Sequence, residues 1–346
     1  MSVKYYSRLI SCLTATSMAI LLVACGDGGG DESISTGSLS VGVTDLPVTE
    51  DVAVCIHFTG ITLHHSDGDL IQIPYDSSTY TDATDCMANR PSDNPISANN
   101  AVNLSALQGE LSVQLMNSEQ VKAGYYNWIR LDVEEMHSYV MDSGFPRELS
   151  CPSCDGEQSG LKLNRGITVP AGGEADFIID INLAKSLNKD PSGNYKLRPT
   201  LRLENRTETG KITGTVAESL IPELISDTDT GCKVYVYEGS GVVPDDYHDS
   251  DNVLTSAKVL YNSESASRSY EYVASYLPTD SSAASTPYTV ALTCDVDDMD
   301  VDQNNDWLNP TDNDVIYTDG TSDGAGQHAD VEINKTTIVS FPRPEI

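Results

Sequence analysis

The sequence predicts an all-β chain of two tandem β-sandwich domains, after an export signal and a flexible tether. Apolar and polar residues alternate along many short segments, which is the pattern of strands with one buried face. Spacing typical of helices is scarce, and Gly, Pro, Ser and Asp punctuate the strands at frequent intervals. The 17 tyrosines outnumber the four phenylalanines and two tryptophans, a bias that suits partly exposed strands.

Residues 1–24 have the pattern of a secretory signal peptide. Lys4 and Arg8 give a positive start, and residues 9–23 form an uncharged apolar run that is short for a membrane span. The run ends in Leu-Val-Ala-Cys, which resembles the lipobox of bacterial lipoproteins. The resemblance implies cleavage before Cys25, acylation of this cysteine and membrane anchoring through the lipid. The alternative is an uncleaved membrane anchor.

Residues 25–36 are predicted to be a lipidated tether, because three successive glycines at positions 28–30 make it flexible. Gly26, directly after the cysteine, favours the outer membrane of the cell envelope, by resemblance to enterobacterial sorting rules. The formal net charge of −32 repels nucleic acid and anionic lipid headgroups. We therefore expect a solvated, cation-attracting surface and no nucleic-acid partner.

The first domain, residues 37–206, is predicted from a series of alternating strands. A change of phase at Gly60 predicts a β-bulge, and residues 103–108 predict one helical turn capped by Asn103. Pro199 predicts that the last strand lies at a sheet edge or carries a bulge. Residues 76–100 are polar and predicted to be a loop. The predicted strands are Leu39–Thr44, 54–58, 61–63, Leu70–Ile73, Tyr125–Val133, 161–169, Phe177–Leu183 and Leu197–Leu203.

Several motifs of this half occur in an order that resembles a known lipoprotein family, the domain of unknown function 4382. The resemblance covers roughly residues 37–204 and implies a prealbumin-like β-sandwich outside the cytoplasm. It supplies no catalytic residue. The motifs are Gly-Ser-Leu-Ser-Val at 37–41, Asn-Leu at 103–104, Ala-Gly-Tyr-Tyr at 123–126, Gly-Ile-Thr-Val-Pro-Ala-Gly-Gly at 166–173 and Tyr-Lys-Leu-Arg-Pro at 195–199.

The second domain, residues 207–346, repeats the strand pattern after a short polar joint. It opens with Gly-Thr-Val at 214–216 and carries a late Tyr-Thr-Val strand at 288–290. These segments resemble the carboxypeptidase-regulatory or transthyretin-like sandwiches. The resemblance implies a second β-sandwich, again without a catalytic residue.

Cleavage of the signal removes Cys12, and acylation uses Cys25, so six of the eight cysteines remain. An even number of cysteines in an exported chain predicts disulfides. Position favours pairing within each half, with Cys232 and Cys294 on inward faces of their strands. Cys151 and Cys154 form a short loop that is read as a structural clip, with a redox pair as the alternative. The six are Cys55, Cys86, Cys151, Cys154, Cys232 and Cys294.

An Asp-rich run at residues 295–306 is a candidate calcium site. Oxygen-bearing side chains at alternate positions can wrap around Ca²⁺, as in the first half of an EF-hand loop. The sixth and twelfth positions depart from that pattern, and a solvated acidic loop is the alternative reading. The candidate ligands are Asp298, Asp300, Asp302, Asn304 and Asp306. No cofactor is required by this reading.

Two sets of aromatic residues occupy the outward phase of predicted strands. Rows of exposed flat rings can stack on sugars, and ordinary half-exposed or domain-covered tyrosines are the alternative. The candidates are Tyr126, Trp128, Tyr235, Tyr237, Tyr270 and Tyr272. His57, His64 and His65 lie close in sequence, and exposed histidines are a better reading there than a metal site.

The sequence contains no Gly-x-Ser-x-Gly elbow and no phosphate-cradling glycine loop. We therefore expect a non-enzymatic binding or structural module of the envelope, with a glycan or an envelope protein as partner and carbohydrate binding or calcium-dependent adhesion as finer readings. The alternative is an extracytoplasmic hydrolase, or an accessory subunit of one, with an acidic site.

The lipobox predicts that Cys25→Ala abolishes acylation and releases the protein from the membrane, because more than one acyl chain is needed for stable anchoring. Incorporation of a labelled fatty acid and membrane fractionation measure both effects. Cys12→Ala, which lies within the signal, is the matched control and should keep label and location. Continued labelling of the Cys25→Ala chain would contradict the assignment.

The Asp-rich run predicts that calcium raises the unfolding midpoint at constant ionic strength. An ion that binds only the folded chain stabilises it by about 2.7 kcal/mol at a hundredfold excess over Kd. Thermal unfolding with calcium and with a chelator measures the gain, which Asp302→Ala together with Asn304→Ala should remove. Equal midpoints in both conditions would leave the run as solvated surface.

Overall fold

The computed structural model describes residues 34–46, 52–75, 86, 101–154, 160–221, 229–244, 253–263, 269–294, 316–317 and 326–341. Strands dominate these residues, together with short 3₁₀ turns and one α-helical turn, α1 (Leu183–Ser186). The all-β prediction is confirmed. Within these ranges no helix has the length and hydropathy to cross a membrane. Residues 35–346 form one compact unit.

The described strands up to residue 205 make up the first module. Most of the predicted strands are present with ends that extend by a few residues, whereas the predicted segment 161–169 is divided into two short strands. In chain order they are β1 (Thr36–Leu46), β2 (Val52–His65), β3 (Leu70–Pro74), β4 (Ala101–Asn103), β5 (Val113–Lys122), β6 (Gly124–Val133), β7 (Tyr139–Asp142), β8 (Phe145–Ser150), β9 (Leu161–Leu163), β10 (Ile167–Val169), β11 (Glu174–Asn182), β12 (Leu187–Lys189), β13 (Tyr195–Leu197) and β14 (Leu201–Asn205).

Two sheets of the first module face each other across one apolar core. The smaller sheet has the order β14-β11-β1-β5, and the larger has β10-β6-β2-β7-β8-β13-β12, with β3 and β4 beside β2 and β9 beside β6. Every second residue of β2 enters the core, and the bulge predicted at Gly60 is present, because the register with β6 shifts between Phe58 and Gly60. Alternation therefore directs one face of each sheet into the first core.

The strand predicted at Leu197–Leu203 is divided at Pro199. Before the proline, β13 pairs with β8 and β12 in the larger sheet, and after it, β14 pairs with β11 at the edge of the smaller sheet. Proline has no N–H to donate to a ladder. The chain therefore crosses from one sheet to the other at this residue.

The second module consists of one sheet that curls around its own core. Its order is β20-β19-β16-β17-β18-β15-β22, with β21 beside β19. A turn joins β21 to β22, so the chain connects two distant edges of the sheet. The strands are β15 (Thr209–Val216), β16 (Asp229–Glu238), β17 (Val253–Asn262), β18 (Ser269–Pro278), β19 (Thr286–Thr293), β20 (Ile316–Tyr317), β21 (Gln327–Val331) and β22 (Thr336–Ile338).

Three disulfides confirm the pairing within each half. They join Cys55 to Cys86, Cys151 to Cys154, and Cys232 to Cys294. Cys232 is fully buried in the second core, as the inward phase of its strand predicts. The Cys151–Cys154 clip is buried in the first core.

The outer face of the smaller sheet is covered by the second module. Ile178 on β11 is fully buried although it points away from the first core. Beside it, Asp180 accepts a hydrogen bond from Nη2 of Arg202 at 2.8 Å, and Nε of Arg202 lies 3.9 Å from Glu204. Burial raises the pKa of Asp180 and of Glu204 above the usual carboxyl range, and the Arg202 charge opposes the rise. Arg202 is therefore the main counter-charge in a buried acidic layer.

Tyr276 makes a second contact between the modules. It lies in a bulge of β18 with a φ of +55°, a conformation that costs a residue with a side chain about 1–3 kcal/mol. Its hydroxyl donates to the carbonyl of Glu110 at 3.0 Å, and the guanidinium of Arg206 lies 5.5 Å from its ring centroid. Nζ of Lys211 reaches the Glu110 carboxylate at 2.6 Å. These contacts of the first module compensate for the strained backbone.

The buried layer predicts that Arg202→Met lowers the free energy of unfolding by about 3–5 kcal/mol, because Asp180 and Glu204 lose their counter-charge while staying buried. Urea unfolding measures the loss. Arg147→Met, at an exposed arginine on β8, is the matched control and should change stability by less than about 0.5 kcal/mol. Equal stability of the two variants would contradict this account of the junction.

Candidate functional site

Tyr126 does not belong to an exposed aromatic row, so its predicted role is wrong. It is fully buried in the first core, and its hydroxyl donates to the carbonyl of Lys122 at 2.6 Å. The register between β2 and β6 shifts where His65 pairs with Tyr126 and His64 pairs with Trp128, which leaves Asn127 as an extra residue. This bulge reverses the phase of β6 and turns Tyr126 inward.

The four tyrosines of the second module are also buried, which corrects their predicted exposure. Tyr270 and Tyr272 belong to the second core, where the Tyr272 hydroxyl donates to the carbonyl of Val339 at 2.6 Å. Tyr235 and Tyr237 do point outward, but they pack with Ala184 of the first module. Coverage by another domain, which the sequence analysis gave as the alternative, accounts for the burial of Tyr235 and Tyr237.

Trp128 is the one predicted ring that keeps part of its surface on the outer face of the larger sheet. His64, its partner across the strands, lies parallel to it with ring centroids 5.1 Å apart and planes 4° apart. On the neighbouring strand β9, the Lys162 ammonium lies 4.1 Å from the Trp128 ring centroid. The indole is thus held in a fixed plane between a histidine ring and an exposed lysine.

The surroundings of Trp128 combine an exposed aromatic ring with an ordered polar network. Tyr125, which the sequence analysis did not single out, is 50% exposed on the same strand. Arg130 donates to Asp132 at 2.6 Å and to Thr62 at 3.0 Å, so these groups hold one another in place. Exposed polar side chains on this and nearby strands are Asn127 on β6, Lys162 on β9 and, on β3, Gln72, which pairs with Thr62 of β2. We call Tyr125, Trp128, His64 and Lys162 the indole platform.

The three histidines considered together in the sequence occupy separate environments. His64 stacks on Trp128, whereas Nδ1 of His65 lies 2.7 Å from Asp67. His57 lies farther along β2, on the outer face that it shares with Cys55. A metal site formed by these three side chains is therefore excluded by their positions.

His57 instead meets Glu134 and His137, neither of which the sequence analysis identified. Nδ1 of His57 lies 3.1 Å from Oε2 of Glu134, and Nδ1 of His137 lies 2.8 Å from the same oxygen. The three potential ligand atoms all lie within 4.8 Å of one another. We call these residues the His₂Glu cluster.

The cluster is built where β6 and β7 interrupt their pairing with β2. Phe58 pairs with Val133 and Cys55 with Tyr139, and the intervening residues 134–138 leave the ladder as a 3₁₀ turn. This excursion places Glu134 and His137 opposite His57. A Glu-x-x-His spacing on one helical turn is a usable sequence signal, but its partner is 77 residues away in the chain.

Several predicted residues lie outside the residues that the structure describes. These are the lipidation site Cys25 and the calcium candidates Asp298, Asp300, Asp302, Asn304 and Asp306. Their roles stay predictions.

Comparisons with known proteins find a family similarity for part of the chain. No curated protein matches the sequence. Among solved structures, a candidate adhesin from Bacteroides ovatus shares 9% identity at a TM-score of 0.18, covering 94% of this chain and 99% of that one. A candidate cell adhesion protein from Bacteroides fragilis shares 11% identity at a TM-score of 0.19, covering 87% and 92%. The shaft pilin SpaA from Lactobacillus rhamnosus GG shares 10% identity at a TM-score of 0.15, covering 90% and 100%.

TM-scores of this size say nothing about what the chain binds. The family comparison is more informative, because the model described as "Domain of unknown function (DUF4382)" matches residues 36–199. These residues include both sheets of the first module up to the crossing at Pro199, and with them the indole platform and the His₂Glu cluster. Residues 36–199 of the first module are therefore similar to the domain of unknown function 4382.

Proposed function

We propose that the chain is a non-enzymatic binding module of the cell envelope, and that its indole platform recognises carbohydrate. The observation that supports this is the fixed plane of Trp128 on the outer face of the larger sheet, with the exposed ring of Tyr125 three residues earlier on the same strand. Flat aromatic rings bind the apolar faces of sugars, and nearby amide groups bind their hydroxyls. Gln72 and Asn127 offer such amides.

Lys162 covers part of the ring that a sugar would use. Moving this side chain aside must therefore cost little free energy. A cation–π contact at an exposed site is worth only about 0.5–1 kcal/mol, and the lysine is exposed. A sugar that stacks on Trp128 can therefore move the ammonium aside. The side chain then remains close enough to donate a hydrogen bond to a sugar hydroxyl.

The anchor and the acidic run belong to the same proposal. Acylated Cys25 would hold the module at the outer membrane, where glycans and envelope proteins are the available partners. Calcium in the Asp-rich run would add a cation-dependent contact and offset part of the net charge of −32. The hydrolase reading is the competing outcome, and turnover of polysaccharide by the purified chain would favour it.

The platform predicts that Trp128→Ala abolishes glycan binding and that Tyr125→Ala weakens it about tenfold, or about 1.4 kcal/mol in binding free energy. A glycan array identifies the ligand. Isothermal titration calorimetry then gives Kd for every variant, including the Trp128→Ala chain, in which Trp307 is the only indole left.

Phe145→Ala is the matched control, because Phe145 is a 65% exposed ring on β8 of the same module. It should leave affinity unchanged. An array without hits, or equal affinity of the Trp128→Ala and Phe145→Ala chains, would refute carbohydrate binding at the platform.

A further inference from the structure

We propose that the His₂Glu cluster is a binding site for a divalent transition-metal ion of the zinc type. His57, Glu134 and His137 would supply the three protein ligands, and solvent water the remaining position. The site goes beyond the proposed carbohydrate binding. Both sites lie on the outer face of β2, and the seven residue-to-residue steps from His57 to His64 span about 23 Å of strand.

The distances in the cluster are close to those of a metal-bound set. Zinc binds imidazole nitrogen and carboxylate oxygen at about 2.0–2.2 Å, so tetrahedral ligand atoms lie about 3.4 Å apart. In the cluster the Glu134 oxygen lies 3.1 Å from one histidine Nδ1 and 2.8 Å from the other. Small rotations of the side chains would let an ion enter between these atoms.

The donor set selects the class of metal. Two imidazole nitrogens and one carboxylate oxygen suit zinc and neighbouring transition metals, whereas calcium and magnesium prefer oxygen ligands throughout. The net charge of −32 raises the concentration of cations around the chain. The cluster therefore differs in kind from the calcium site predicted in the Asp-rich run.

The backbone around the cluster is fixed independently of any ion. The hydroxyl of Ser138 accepts the His57 N–H at 3.0 Å and donates to the Glu134 carbonyl at 2.9 Å. The Glu134 N–H donates to the His57 carbonyl at 2.9 Å. The carboxylate of Glu135 accepts the Cys151 N–H at 3.0 Å, which attaches the turn to the disulfide clip. Little backbone ordering would remain to oppose metal binding.

The cluster also has an entry path and a protected side. The His57 side chain is 7% exposed, that of His137 20% and that of Glu134 45%, so access comes from the carboxylate side. Beyond His57, the same face of β2 carries an apolar patch of Cys55, Cys86, Tyr139 and Met141. An apolar wall on one side and water on the other is the setting of a three-ligand site.

Calorimetric titration of the full chain with zinc chloride tests the site, in excess calcium so that the acidic run is already filled. We expect one zinc ion per chain with micromolar or tighter Kd, and a loss of about tenfold or more in His57→Ala, Glu134→Gln and His137→Gln. Cobalt titration should give the visible absorption of a tetrahedral ion. His328→Ala, at an exposed histidine of β21 that pairs with Asp330, is the matched control and should bind as the unchanged chain does.

Two results would overturn the proposal. One is stoichiometric zinc whose affinity survives both His57→Ala and His137→Gln, and the other is the absence of binding in the unchanged chain, which would leave the cluster as an ion pair only. If His57→Ala does not fold, His137→Gln and the cobalt spectrum decide, because His137 lies on an accessible turn. Glycan binding measured alongside keeps this result separate from the platform.

Discussion

The junction of the two modules buries an acidic layer around one arginine. Asp180 and Glu204 lie on the outer face of the smaller sheet, where the second module removes them from water, and Arg202 is the counter-charge that makes this burial tolerable. In a buried layer of low dielectric constant, Coulomb interactions are strong and an unpaired charge is costly in free energy. The strained backbone of Tyr276 and the contact of Arg206 with its ring belong to the same junction.

Because the smaller sheet is covered, the outer face of the larger sheet is where the first module meets solvent. That face carries the indole platform toward one end of β2 and the His₂Glu cluster toward the other. Both depend on irregularities in the pairing of β2 with β6 and β7. The bulge at Asn127 turns Tyr126 inward and leaves Tyr125 on the same face of the sheet as Trp128, and the 3₁₀ excursion at residues 134–138 presents Glu134 and His137. Both candidate sites thus coincide with breaks in the ladder, where bulges near binding sites are common.

Local pattern was sufficient for much of the fold. Alternation predicted many of the strands but missed β5, β7 and β8. The phase change at Gly60 predicted a real bulge, and position along the chain predicted all three disulfides. The local pattern failed for Tyr126, because the bulge at Asn127 is defined only by the pairing of β6 with β2. It failed for Tyr235 because the covering residue, Ala184, is on another module. Glu134 and His137 were missed because His57 comes near them only through strand pairing.

The position of β1 has a mechanical consequence. This first strand lies inside the smaller sheet, parallel to β11 on one side and antiparallel to β5 on the other. A pull on the residues before Thr36 therefore loads β1 along its length, and two rows of hydrogen bonds must yield together instead of opening one at a time. Resistance to such a force depends on the unfolding rate, not on equilibrium stability. A module that is held by its N-terminus and loaded through a bound partner is well placed to withstand tension.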